Sequence, residues 1–244
     1  MADTTIAFNA PFEDQLAFFR KKTNVPTARW DDIMRSAHDH GFMVAGAMQA
    51  DLIADFRTAI DKAIELGTGL AEFRKDFDKI VKRYGWDYTG GRDWRTSVIY
   101  KTNLTASYSA GRFIQLSAPE VSRVRPYWLY RHSDSVLSPR PEHESWDGKI
   151  VAANDSWWKT HYPPNGWGCQ CYVFAIAKDE LAKYGKKEPD AAPTAPQSTA
   201  GIDKGWDYAP GQSAAERIYS QKESDLKAKD PDVAKLFERL NKER

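Results

Sequence analysis

Two prolines, Pro119 and Pro126, divide the chain into halves with different backbone habits. Proline has no amide hydrogen and its ring collides with the preceding turn, so it ends a helix wherever it falls inside one. Upstream of these residues the apolar side chains recur with helical spacing; downstream they come in short runs between Pro, Gly and Asn. That change predicts an α+β fold, with an N-terminal helical region over 1–117 and a small β-rich region over 118–184.

In the first half, Met48, Leu52, Phe56, Ile60 and Ile64 follow Val44 at intervals of four, which places them on one stripe of a helix ending near Gly67. A second helix follows, with Thr68 as its cap, Phe73, Phe77, Ile80, Val81 and Tyr84 inward, and Gly85 as terminator. A third is predicted over 92–116, carrying Ile99, Ala106, Ala110 and Phe113 on one side. Thr105, Ser109 and Gly111 are small enough there for close packing. Two short helices are expected earlier, over 12–20 and 30–40.

Beyond Pro126, the aromatic run 127–132 suits a strand, as do 149–151 and 172–176, with Pro163-Pro164-Asn165-Gly166 as a turn. Residues 185–205 are rich in Lys, Pro, Ala, Thr and Ser and read as an extended linker. It leads to a helical tail over 206–244, in which Asp230-Pro231 start a last helix carrying Val233, Leu236, Phe237 and Leu240.

Composition narrows the function. A formal net charge of +1 provides no global basic field for coating nucleic acid. A local cluster such as Arg123, Arg125 and Arg131 more often marks a solvated face. Nine Trp, eleven Tyr and eleven Phe supply core packing and docking surfaces. No targeting segment or membrane-length apolar run is evident, so the chain is expected to be soluble and made in a cytoplasm. Cys169 and Cys171 are two residues apart, too close for an unstrained disulfide, and are expected as reduced thiols.

These cysteines lie in a segment that also holds His132, Asp134, Arg140, His143, Asp147 and His161. Thiolate and imidazole together favour tetrahedral zinc, with Cys169 and Cys171 supplying two ligands and His143 plus His132 or His161 the others. The plainer alternative is that the cysteines point to one face of a strand as small buried hydrophobes while the histidines hydrogen-bond in loops. Arg140 is expected to steady its loop through Asp134 or Glu142. His143, Asn154 and His161 also admit a metal-dependent His-Asn-His nuclease, and a cysteine activated by His143 or His161 a thiol hydrolase. Neither comes with the geometry that catalysis needs.

Two longer motifs carry a resemblance. Arg140-x-x-His143-x-x-x-x-Gly148 is followed by Pro163-Pro164-x-x-Trp167-x-Cys169-x-Cys171, and upstream stand Tyr84-Gly85-Trp86 and Ala106-x-Tyr108-x-Ala110-Gly111-Arg112. Together they resemble the phage Mu F-like minor head proteins over roughly 47–181, and Gly205-Trp206-Asp207-Tyr208-Ala209-Pro210-Gly211 resembles the segment that often follows. Gln170 stands where the family commonly has Arg, and the loop from Asp134 to Arg140 is longer than usual. The resemblance implies a non-enzymatic virion component acting in head morphogenesis near portal and capsid proteins. It implies contact with packaged DNA or a part in its delivery, and no membrane or small-molecule substrate. The location would be the virion head, and the host cytoplasm during assembly. The His/Cys set, His143, Cys169, Cys171 and His132, would then be a structural zinc clip.

Overall fold

The computed structural model describes residues 12–136 and 138–229. The chain opens with α1 (Glu13–Arg20), then β1 (Thr23–Asn24), a one-turn α2 (Ala37–His40) and β2 (Gly41–Phe42), which pairs parallel to β1. Only one turn of the helix expected over 30–40 forms. The Asp32 carboxylate accepts the amides of Ala28 and Arg29, so a side chain competes locally with helical pairing.

Helices α3 (Ala50–Leu66) and α4 (Leu70–Tyr84) pack together across a short turn and end at Gly67 and Gly85, as their periodicity predicts. Their starts differ from expectation. Gln49 is extended, so the helix begins after Met48, which is left 59% exposed. At the second start the N-cap is Gly69 rather than Thr68, with no side-chain bond. Leu52, Phe56, Ile60, Phe73 and Phe77 form the first core with Leu16 and Phe19 of α1.

The next helix, α5 (Arg92–Leu116), spans two cores. Ile99 belongs to the first, while Ala110, Phe113, Ile114 and Leu116 belong to a second built from the aromatic residues that follow Pro126. Pro119 does not simply halt the helical pattern: it opens α6 (Pro119–Val124) at a first-turn position, where its missing N–H is no loss.

The second half contains β3 (Tyr127–Arg131), α7 (Pro141–Trp146), β4 (Ile150–Ala152), α8 (Trp158–His161) and β5 (Tyr172–Ile176). The strands form one antiparallel sheet in the order β4-β3-β5. Trp128 and Tyr130 face the second core, with Trp146, Trp157, Trp158 and Tyr162. Leu129 faces the other way, onto Ile150, Ile176 and Leu181, the last carried by a 3-10 helix (Lys178–Tyr184). The fold is therefore α+β.

From 185 to 205 the chain has no helix or strand, but it is tied down along its length. The amide and carboxylate of Asp190 pair with Ile150, Thr194 bonds the Trp157 indole, and the Pro196 carbonyl accepts the Thr160 hydroxyl. It leads into α9 (Gln212–Lys229), which packs along α5. Val233, Leu236, Phe237 and Leu240 lie outside the described residues. Among the described residues, no helix is long and apolar enough to cross a membrane.

The approach to α5 is close on two sides. A methyl group at Gly111 would lie 2.6 Å from the Gln15 amide nitrogen of α1, and one at Gly211 would lie 2.5 Å from the Ala110 carbonyl oxygen. Gly211 also has φ +86°, a region side chains avoid. Gly211→Ala is expected to cost about 2–4 kcal/mol, from strain plus backbone overlap. Urea denaturation of the variant checks this, and a loss under about 0.5 kcal/mol would mean that the turn is free to move away from α5.

Candidate metal centre

The site is assembled from three places that the fold brings together. Residues 169–171 lie just before β5, outside helix and strand, and alternate as they would on a strand: Cys169 and Cys171 are buried, while Gln170 between them is exposed. Helix α7, started by Pro141, turns His143 and Trp146 inward three residues apart. His132 follows directly on the central strand β3, where its amide donates to Asp147 at 2.8 Å.

His143 Nδ1 lies 3.7 Å from Cys169 Sγ and 3.6 Å from Cys171 Sγ. The ligand atoms of these three residues lie within 4.8 Å of one another, and all three residues are buried. His132 touches the group through Cys171 alone, its Nδ1 3.5 Å from that sulfur. Both cysteines are free thiols. With zinc–sulfur bonds near 2.3 Å and zinc–nitrogen bonds near 2.05 Å, a tetrahedral ion sets its sulfur and nitrogen ligands roughly 3.6 Å apart, which all three separations match.

The far side of the imidazole sets its chemistry. His143 Nε2 lies 2.8 Å from the Gly201 carbonyl oxygen, which can only accept, so Nε2 donates to it and Nδ1 is the nitrogen turned toward the sulfurs, free to serve as a ligand once it carries no proton. Metal-binding histidines are oriented in this way by backbone carbonyls. The thiols are also biased. Hydrogen bonding from Cys171 holds the Cys169 thiol well below its ordinary range, and the same bond together with burial pushes Cys171 up. The pair therefore gives up its first proton readily, as a metal ligand must.

A second layer fixes these groups. His143 stacks on the Trp146 indole, with ring centres 5.1 Å apart. Tyr130 donates to Asn165 Oδ1 at 3.3 Å, and the Asn165 amide donates to the carbonyls of Thr160 and Tyr162. Arg140 pairs not with Asp134 or Glu142 but with Asp203, at 2.5 Å, and Asp203 also accepts the Trp167 amide at 2.8 Å. Asp134 is exposed. Sequence reasoning missed Asn165, Gly201 and Asp203. The available signals were the position of Asn165 in the Pro-Pro-Asn-Gly turn and of Asp203 just before Gly205-Trp206.

The structure does not bring His161 into the sulfur cluster. Its Nδ1 meets the Thr160 hydroxyl at 2.8 Å and its Nε2 the Thr194 hydroxyl at 3.1 Å, inside a fully buried setting against Trp157. Asn154 is exposed. With His143 and His161 both buried against Trp146, the nuclease reading finds no support. Of the proposed arginine cluster, Arg125 is engaged by Glu180 and Arg131 by Asp147.

Burial pushes the His161 pKa down to about 4. The unfolded chain therefore binds a proton at this residue near pH 6.5 that the folded chain refuses until about pH 4. The stability this provides is complete above pH 6.5 and is lost as pH falls towards 4, by about 2–3 kcal/mol. Denaturant melts between pH 7 and pH 4 should show that slope, and His161→Gln should flatten it. An equal slope in both proteins would refute the assignment.

A family model described as phage Mu protein F like protein matches residues 54–174. Protein F of Escherichia phage Mu, which is named for capsid assembly, is 29% identical over 226 residues, covering 86% of this chain and 50% of that protein. The FluMu F protein of a Mu-like prophage in Haemophilus influenzae is 35% identical over 190 residues, covering 73% of this chain and 45% of that protein. The chain thus spans about half the length of these relatives. No solved structure matches it. The family match includes α7 and both cysteines, the elements that form the buried His/Cys cluster, and the chain belongs to the phage Mu F-like family.

Proposed function

We propose that this chain is a non-enzymatic component of a tailed-phage or prophage head, acting in head assembly near the portal and packaged DNA, and that zinc held by His143, Cys169, Cys171 and His132 clips its second half together. Family membership and the capsid-assembly name of the Mu relative support the first part. The observation that carries the second is the His143 ring, bonded at Nε2 to Gly201 and facing both sulfurs with Nδ1.

A structural role suits this site better than a catalytic one because His143, Cys169 and Cys171 are only 2%, 4% and 4% exposed. A bound ion would join three stretches of chain: the end of β3, α7 and the approach to β5. Through Gly201 it would also hold the 185–205 stretch. That is the usual contribution of a closed structural zinc site, where binding energy becomes folding energy.

Protein purified without affinity metals is expected to carry about one zinc per chain by elemental mass spectrometry. Cys169→Ser/Cys171→Ser should carry none, and chelation should lower the melting temperature of the wild type alone. Zinc-free wild-type protein whose melting is indifferent to chelator would return the cluster to ordinary packing. The head role is checked separately, by deleting the gene from its phage or prophage and counting DNA-filled heads by electron microscopy. Normal head yield, or absence of the chain from purified heads, would overturn it.

A further inference from the structure

Away from the sulfur cluster, a cavity of about 740 Å³ opens between α5, the 28–46 segment and the chain around Trp167 and Trp206. Its volume is that of a ligand site, and its wall is mainly apolar. Three indoles at this cavity, Trp30, Trp94 and Trp167, are 39%, 57% and 41% exposed. Trp167 meets Trp30 and Trp206 edge to face at 5.9 and 5.2 Å.

The wall also carries an unmatched cation. Arg95 is 9% exposed, lies over the Trp86 ring and donates one guanidinium nitrogen to the Ala45 carbonyl. Its Nε is buried with no hydrogen-bond partner, and no carboxylate among the described residues pairs with it. Burial lowers its pKa; only the Tyr88 phenol acts against that shift, and no carboxylate does. At the mouth, Arg29 and Lys204 share one carboxylate, Asp31, at 3.0 and 3.3 Å. Asp39, the buried acid of the lining, is committed to the Gly211 amide and the Ser213 hydroxyl. Asp87 is the other acid of the lining, so cations outnumber acids there.

We infer that this cavity is a docking site for a short segment of another polypeptide, which inserts an aromatic or branched apolar side chain and sets a nearby carboxylate against Arg95. Trp, Met and Arg dominate the anchors of protein interfaces, and Trp30, Met34, Trp94, Arg95 and Trp167 are all at this wall. The half-exposed indoles extend the apolar surface beyond the cavity, as suits a chain that continues outward. A carboxylate would supply the charge that Arg95 lacks, and a buried charge pair of this kind governs how long a complex lasts. The site is separate from the zinc proposal and stands or falls without it.

The test is selection of a random octapeptide library on the full chain, followed by affinities of the selected peptides for variants. Selected peptides should pair a large apolar residue with Asp, Glu or a free terminal carboxylate. They should bind about tenfold or more weakly to Arg95→Gln. Trp94→Ala, at an exposed position, keeps the test valid if Arg95→Gln does not fold, and it should also weaken binding; Val98→Trp should block the cavity. The proposal is overturned if no peptide is enriched over Val98→Trp, or if those enriched show no acidic bias or ignore both Arg95→Gln and Trp94→Ala. It is likewise overturned if dodecanoate binds in an Arg95-dependent way and no peptide does, since the cavity would then serve a small amphiphile.

Discussion

The close backbone approach to α5 is the constraint on which the rest of the structure depends. Ala110 and Gly111 lie where α1 and the turn at Gly211 both come within contact of the helix, so anything larger at either glycine would separate the layers. The same helix contributes Ile99 to one core and Phe113, Ile114 and Leu116 to the other. Two apolar clusters that have little chain in common are thus referred to one rigid axis of 25 residues. Alongside it, the Tyr219 hydroxyl reaches the Ile114 carbonyl at 2.5 Å, which sets the position of α9.

On that axis, the second half solves a different physical problem. Its sheet has three short strands, so it cannot rely on area alone, and it packs large aromatic rings edge to face around Trp128, Tyr130 and Trp146. The polar atoms that come inside with those rings are paired in turn: Tyr130 with Asn165, Trp157 with Thr194, His143 with Gly201. Two of these three partners, Thr194 and Gly201, belong to the 185–205 stretch. A segment poor in large apolar residues is thereby held largely by hydrogen bonds and by ion pairs to other parts of the chain, Arg140 with Asp203 and Lys204 with Asp31.

Much of this organisation was legible in the residues. Four-residue spacing with terminal glycines located α3 and α4, and the long helix over 92–116 coincides with α5. A spacing of two put both cysteines on the buried side of an alternating segment, and the Arg140 to Cys171 motifs resembled the family to which the chain belongs. What escaped was the pairing of residues distant in sequence. Arg140 was expected to find a nearby acid, but its partner lies 63 positions on. His132 and His161 were equivalent candidates until the fold set one at Cys171 and enclosed the other between Thr160 and Thr194.

The sequence by itself determined the α+β division, the long helices and the chemistry of the His/Cys segment, because periodicity, glycine terminators and ligand type are local properties carried by a few neighbouring residues. Only the tertiary structure decided which histidine nitrogen faces the sulfurs, where the 185–205 stretch lies, and that Arg95 is buried at a cavity wall with no carboxylate paired to it among the described residues. Each of those depends on contacts across tens of residues, and such contacts are set by how helices and sheet stack around α5, which no local pattern records.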